Sequence, residues 1–343
     1  MQLAPDGCVR TTQEHDLPHV RRLLSDAFSA PCSQSFLLPG ALWWKYFETR
    51  EDWPGPRSFV LTEKDAILAH IAFWPFTLLL PAAPIQAVQA IDWTGSRKVP
   101  CAGSFLRRCT SSVAPVQVGI GGTLLARQAR EKSGFCHWKT LRQWTLVCRP
   151  GSRFLGEIRG QPVRATGRLL RELRVGPRGR PKEQSCACAP AHRFGDELRP
   201  ILPVSVPGWV RRSQSSVSLN YLLSCPQIRC QGFHLSRDGQ LWGYFILART
   251  SPWARIVTLH VHDARSGGLE TAYLAAVAAA MEDPQVWGVT THVSCAMRET
   301  ALARVGFRRG ITIPAVLLDP HSLIDPRLEV DLQMSESDAF TLD

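Results

Sequence analysis

Apolar and polar positions along the 343-residue chain form a pattern that occurs twice. In the first occurrence Trp43, Trp44 and Tyr46 precede Pro54. The apolar run Phe59-Val60-Leu61, a polar turn at Glu63-Lys64-Asp65 and the run Ile67 to Ile71 follow. In the second, Leu219 and Tyr221 precede Pro226, then Phe233-His234-Leu235, a turn at Arg237-Asp238-Gly239, and Leu241 to Phe245. Both predict a helix leading into a β-hairpin. Each pattern then continues with a short strand, a helix and Gly-Phe. The first runs Val116–Ile120, then Thr123–Ser133, then Gly134-Phe135; the second runs Val286–Val293, then Met297–Val305, then Gly306-Phe307. Glycine just past a helix is the expected cap, with phenylalanine opening the next strand. Phe59 and Phe233 are 174 residues apart and Phe135 and Phe307 are 172 apart, so nearly one offset relates the halves. The chain reads as a duplicated α/β unit.

Other segments fill in the organisation. The apolar stretch Ala66 to Leu80 is too short for a comfortable membrane span, contains His70 and Pro75, and reads as two strands. Gln86 to Trp93 alternates as a strand. Ser104 to Cys109 begins an amphipathic helix, with Phe105, Leu106 and Cys109 expected inward and Arg107 and Arg108 outward. Residues 153 to 182 hold nine Lys/Arg against two Glu, net +7 of the chain's +11, with a helix expected over 164–174. The expected domains are residues 1–150, a basic linker 151–206, a second domain 207–328, and an acidic tail 329–343 with no packing pattern.

Composition narrows the picture only modestly. A formal charge of +11 favours an anionic partner without choosing among nucleotide cofactor, nucleic acid and membrane surface. The start lacks a basic region followed by an apolar run, and the 11 cysteines have no framework spacing; both point to reduced thiols and a cytoplasmic location. Cys186, Cys188 and His192 lack a fourth ligand and zinc spacing, so no metal is expected. Nucleic acid is a less favoured partner for the basic segment, since only Phe154 interleaves with its charges.

The strand ending Ile91-Asp92-Trp93 leads into the loop Thr94 to Gly103 and then a helix. Small residues before a helix let main-chain N–H groups approach an anion, and Arg97 and Lys98 would add cationic contacts. The same loop would equally serve as an ordinary strand-to-helix turn. In element order, and in this loop, the chain resembles the GNAT acyltransferase superfamily. That family's signature R-x-x-G-x-G/A opens the helix after the fourth strand. Arg97 through Gly103 resembles it, with Cys101 in place of the first glycine and Gly103 matching the second small position. Ala129-Arg130-Glu131-Lys132-Ser133-Gly134-Phe135 resembles the family's A-L-Y-E-K-x-G-F helix ending. The resemblance spans about residues 8–150 and, more faintly, 207–320.

The resemblance implies an α/β (α+β) fold of two tandem GNAT-like domains, each a mixed, mostly antiparallel sheet flanked by helices. It implies acetyl-CoA or another acyl-CoA as co-substrate, and transfer to a small-molecule or peptide amine by direct attack on the thioester. Arg97, Lys98, Val99, Cys101, Ala102, Gly103 and Ser104 would hold the pyrophosphate, and Ile91 and Trp93 would flank the pantetheine. Asp92 would be the base. Arg130 stands where the family has its acid tyrosine; it cannot readily give up a proton but can stabilise a thiolate. A catalytically silent CoA- or nucleotide-binding protein on the same fold is the alternative. In the second copy His260 and His262 share one strand face, Arg265-Ser266-Gly267-Gly268 is a shorter loop, and Leu302 takes the tyrosine position, so a separate CoA site is not expected there.

Overall fold

The computed structural model describes residues 7–157, 186–263 and 267–336. The basic segment from 158 to 182, with the helix expected over 164–174, lies outside the described residues, as does Arg265 of the second-copy loop.

The leading repeat begins with β1 (Gly7–Thr11), α1 (Leu17–Phe28) and α2 (Pro39–Tyr46). The antiparallel strands β2 (Ser58–Glu63), β3 (Ala66–Leu79) and β4 (Ile85–Gly95) follow. Then come α3 (Ala102–Cys109), β5 (Val116–Ile120), α4 (Leu124–Lys132), β6 (Cys136–Val147) and α5 (Pro150–Glu157). The second repeat has β7 (Ala187–Ala191), β8 (Trp209–Arg212), α6 (Ser216–Leu223), β9 (Arg229–Arg237), β10 (Gln240–Thr250) and β11 (Trp253–Val261). It continues with α7 (Gly268–Met281), β12 (Gly288–Val293), α8 (Ala296–Val305) and β13 (Arg308–Leu318), and the chain returns as β14 (Glu329–Asp331).

Both repeats belong to one sheet, in the order β1-β2-β3-β4-β5-β13-β6-β12-β11-β10-β9-β7. The last strands are exchanged. β13 of the second repeat lies between β5 and β6 of the first, and β6 lies between β12 and β13. α1, α2 and α6 cover one face and share a continuous core in which Trp44 stacks on Tyr221, ring centroids 4.6 Å apart. α3 packs on the other face through Ala102 and Leu106 against Leu61, Ile71, Phe73 and Val88. α7 and α8 cover that of the second repeat.

Three expectations are corrected. Residues 66–79 form one strand rather than two. Pro75 is tolerated because β2 pairs with β3 only as far as Ala72, so its missing N–H falls where no β2 partner waits. Residues 187–191, expected in the linker, pair with β9. Residues 329–336, expected to be unpacked, form β14 against β8 and a 3-10 turn, because Val330, Leu332 and Met334 find the shared core.

Candidate functional site

β4 and β5 run parallel but pair only over Ala87–Gln89 and Val116–Val118. Beyond that β4 continues to Gly95 and β5 to Ile120 with no ladder between them, so the strands part into a wedge. Toward its end β4 also carries a bulge. Ile91 to Thr94 on β4 faces only Ala72 to His70 on β3, and Asp92 takes a left-handed φ of 48°.

The loop after β4 folds back tightly. A Cβ at Gly95 would come within 2.7 Å of the Gly103 nitrogen, so only glycine lets the start of α3 sit against β4. Cys101, just before α3, has φ 67°, ψ 2°, a conformation glycine adopts freely and other residues rarely. Ala102 donates its N–H to Val99 O, whereas the N–H groups of Gly103 and Ser104 have no partner among the described residues. Arg97 donates to the Asp26 carbonyl at the end of α1, and Lys98 is exposed. Trp93 donates its indole N–H to Gly103 O at 2.9 Å, clamping strand to helix, while Ile91 points into the shared core.

Asp92 is engaged from α2. Its Oδ2 accepts from Tyr46 Oη at 2.8 Å and Lys45 Nζ at 3.1 Å, and the Lys45 side chain is fully buried. Its main-chain carbonyl faces His70 Nδ1 at 3.0 Å, and His70 Nε2 faces Ser58 Oγ at 2.9 Å, with Thr12 Oγ1 a further 2.7 Å on. Burial lowers the His70 pKa to about 4, so the ring is neutral at pH 7. The neutral ring therefore donates from Nδ1 to Asp92 O and accepts at Nε2 from Ser58. Sequence reasoning missed Lys45, Tyr46 and His70. The signal for Lys45 and Tyr46 was a Lys-Tyr pair within the apolar helix 39–46, but pairing with a bulge 46 residues away has no local signature.

Arg130 does not project into solvent. It is buried at the end of β5 and donates from Nη1 to Gly121 O at 2.6 Å. Arg107, expected outward, is buried, and Cys109, expected inward, is exposed. α3 turns its Arg107 side toward Phe135 and toward Arg130 of α4.

Two cavities open near the seam of the repeats. One, of about 520 Å³, is lined by Thr12, Tyr46, Arg50, Trp53 and Ser58. The other, of about 650 Å³, is lined by Glu48, Arg50, Glu51, Asp196, Glu197 and Tyr221. Neither is lined by the loop 96–104, but Tyr46 and Ser58 connect the first to Asp92 and His70.

In the second repeat the corresponding wedge is closed. β11 and β12 pair only over Trp253–Arg255 and Gly288–Thr290, and residues 331–335 of the chain itself enter between their diverging ends. Gln333 Oε1 accepts the Leu259 N–H at 2.9 Å. Arg298 bonds both Asp331 oxygens and the Leu259 carbonyl. His260 is largely buried beside Tyr244, its pKa lowered to about 3 by burial, and His262 is exposed.

A parted pair of parallel strands, a bulged fourth strand and a small-residue loop at the next helix define the GNAT fold, here in tandem. Solved structures agree on the fold. A candidate acetyltransferase from Pyrococcus horikoshii aligns over 97% of this chain and 95% of its own, with TM-score 0.58 and 10% identity. A GCN5-related N-acetyltransferase from Anabaena variabilis aligns over 91% and 72%, with TM-score 0.57 and 10% identity. The N-myristoyltransferase of Saccharomyces cerevisiae, solved with myristoyl-CoA, aligns over 93% and 84%, with TM-score 0.57 and 10% identity. The sequence matches no protein-family model and no curated protein sequence. Among the described residues no helix is long and apolar enough to cross a membrane.

Proposed function

We propose that the chain is an acyl-CoA-dependent N-acyltransferase whose acyl carrier binds in the leading repeat. The observation that carries this reading is the wedge between β4 and β5, whose ladder stops short of the end where the N–H groups of Gly103 and Ser104 lack partners among the described residues. A diphosphate on those groups would gain charge-assisted bonds and the positive end of α3. Exposed Lys98 lies close by, Arg97 flanks the loop, and Val99, Cys101 and Ala102 shape its turn. The pantetheine arm would then run down the wedge past Trp93 and Ile91, and the thioester would reach the bulge at Asp92.

There the amine nitrogen attacks the thioester carbon, the C–N bond forms, and the C–S bond breaks to release thiolate. Asp92 takes the proton from the attacking nitrogen through Oδ1, which makes no hydrogen bond among the described residues, while Tyr46 and Lys45 hold Oδ2. Arg130, buried at the end of β5, stabilises the departing thiolate electrostatically, and protonation comes from water. The cavity walled by Tyr46 and Ser58 is the approach for the acceptor amine. The N-myristoyltransferase and acetyltransferase neighbours support acyl-CoA chemistry on this fold. A silent acyl-CoA-binding role is the second reading, favoured by the Lys45–Asp92 ion pair that already occupies one carboxylate oxygen.

Calorimetric titration with acetyl-CoA tests binding, and thiol release with a panel of amines tests turnover. Ser104→Glu is expected to weaken CoA binding about tenfold or more, because its carboxylate would occupy the anion's place. It is the cleaner variant than one at Gly103, where any Cβ would crowd Thr94 O at 3.2 Å. Asp92→Asn is expected to lower turnover about a hundredfold with CoA affinity retained. Binding without any turnover selects the silent reading.

A further inference from the structure

Arg130 is buried at the end of β5, where β4 and β5 part, and Arg107 is buried near it, 6% and 2% exposed respectively. Arg107 packs its guanidinium 4.9 Å from the Phe135 ring centre, and its Nε and Nη2 have no hydrogen-bond partner among the described residues. Arg130 makes the single bond to Gly121 O. Neither meets a carboxylate among the described residues. Room for Arg130 is built into the main chain. A Cβ at Gly119 would lie 2.9 Å from both its Cδ and its Nε, and one at Gly122 would lie 3.4 Å from both terminal nitrogens. Burial lowers the pKa of Arg107 to about 10, with Arg130 nearby adding to the effect, so Arg107 remains a cation at neutral pH. Two buried cations that meet no counter-ion among the described residues are costly, and an anion bound between them would offset that cost.

The protein shows how it satisfies that same arginine edge elsewhere. In Arg50, Nε and Nη2 hold the two oxygens of Asp52, and in Arg298 the same two nitrogens hold those of Asp331. In Arg107 this pair of donors is buried and empty-handed. Its parallel N–H groups match the planar pair of oxygens of a carboxylate rather than a point-like thiolate. Position favours the acyl end of the carrier. Val118 is level with Gln89 across the parallel pair, which sets Gly121, and Arg130 on it, level with Asp92 at the bulge. Arg107 is close enough to Arg130 for the two cations to act on each other, which ties it to the same level.

We infer that Arg107, supported by Arg130, holds the terminal carboxylate of a dicarboxylic acyl thioester. The inference rests on the acyl-CoA reading above and sharpens it to a substrate class. In the second repeat the chain's own Asp331 supplies a carboxylate to the arginine in the wedge; in the first the substrate supplies it.

The test is calorimetric titration of the full chain with CoA, acetyl-CoA, malonyl-CoA and succinyl-CoA. One of the two dicarboxylic thioesters is expected to bind about tenfold or more tighter than acetyl-CoA, the range of a charge-assisted buried hydrogen bond. Arg107→Met is expected to erase that preference while melting no lower than the parent, because it removes a buried charge without a partner. Arg107→Lys keeps the charge without the two-pronged edge and is expected to lose most of the preference. Equal affinity for all acyl thioesters in the parent overturns this inference alone. Binding of none of the four ligands overturns the acyl-CoA reading with it. A preference that persists in Arg107→Met places the carboxylate elsewhere and overturns the assignment.

Discussion

His70 uses both ring nitrogens in the core of the leading repeat, and its neutrality ties stability to pH. Its pKa in the fold is about 4, lowered by burial, against about 6.5 in an unfolded chain. Between those values the unfolded state takes up a proton that the native state refuses. Stability is therefore lost as pH falls from about 6.5 toward 4, by up to roughly 1.4 kcal/mol per pH unit for this residue. His260, near 3, and His292, near 4, act in the same direction through burial. Urea unfolding at pH 7 and pH 5 is expected to show lower stability at pH 5, with a shallower difference in His70→Gln. An identical difference in that variant would remove His70 from the account. None of this was visible in the sequence, where His70 served only as an argument against a membrane span.

At the scale of elements, apolar runs bounded by polar turn residues located strands, β3 and β10 among them, that are buried on both faces. Periodicity misassigned the faces of α3. It points Phe105, Leu106 and Cys109 inward, yet Arg107 is buried and Cys109 is left exposed. Contact between the end of β4 and the start of α3 is equally specific. Gly95→Ala would place a Cβ 2.7 Å from the Gly103 nitrogen, forcing the loop outward. A loss of about 1–3 kcal/mol, the usual cost of overpacking, is expected in denaturant unfolding, together with weakened CoA binding as the free N–H groups shift. Unchanged stability and affinity would show that the loop is looser than its geometry implies. Cys101 takes a positive φ of 67°, a backbone geometry that glycine adopts more freely than cysteine.

Over the whole molecule, exchange of β6 and β13 fuses the two repeats into one sheet, and the returning segment 329–336 seals the second wedge. Its key contact is the fully buried Arg298–Asp331 pair. Asp331→Ala would leave Arg298 charged and without its carboxylate, which is expected to cost about 3–5 kcal/mol in unfolding free energy. Arg107→Met, which removes a charge that has no partner, is expected to cost nothing. Chemical denaturation of the two variants side by side checks the contrast; a small loss in Asp331→Ala would mean that the seal contributes little.

Local pattern by itself determined the duplicated order of helices and strands and the strand-loop-helix at residues 86–109. These follow from periodicities and turn residues only a few positions apart. Tertiary structure alone decided that the last strands cross over, that Lys45 and Tyr46 close on Asp92, that Arg107 turns inward beside Arg130, and that residues 329–336 pack. Each joins groups distant in sequence, and their energies depend on burial and on which partner arrives, which no local pattern encodes.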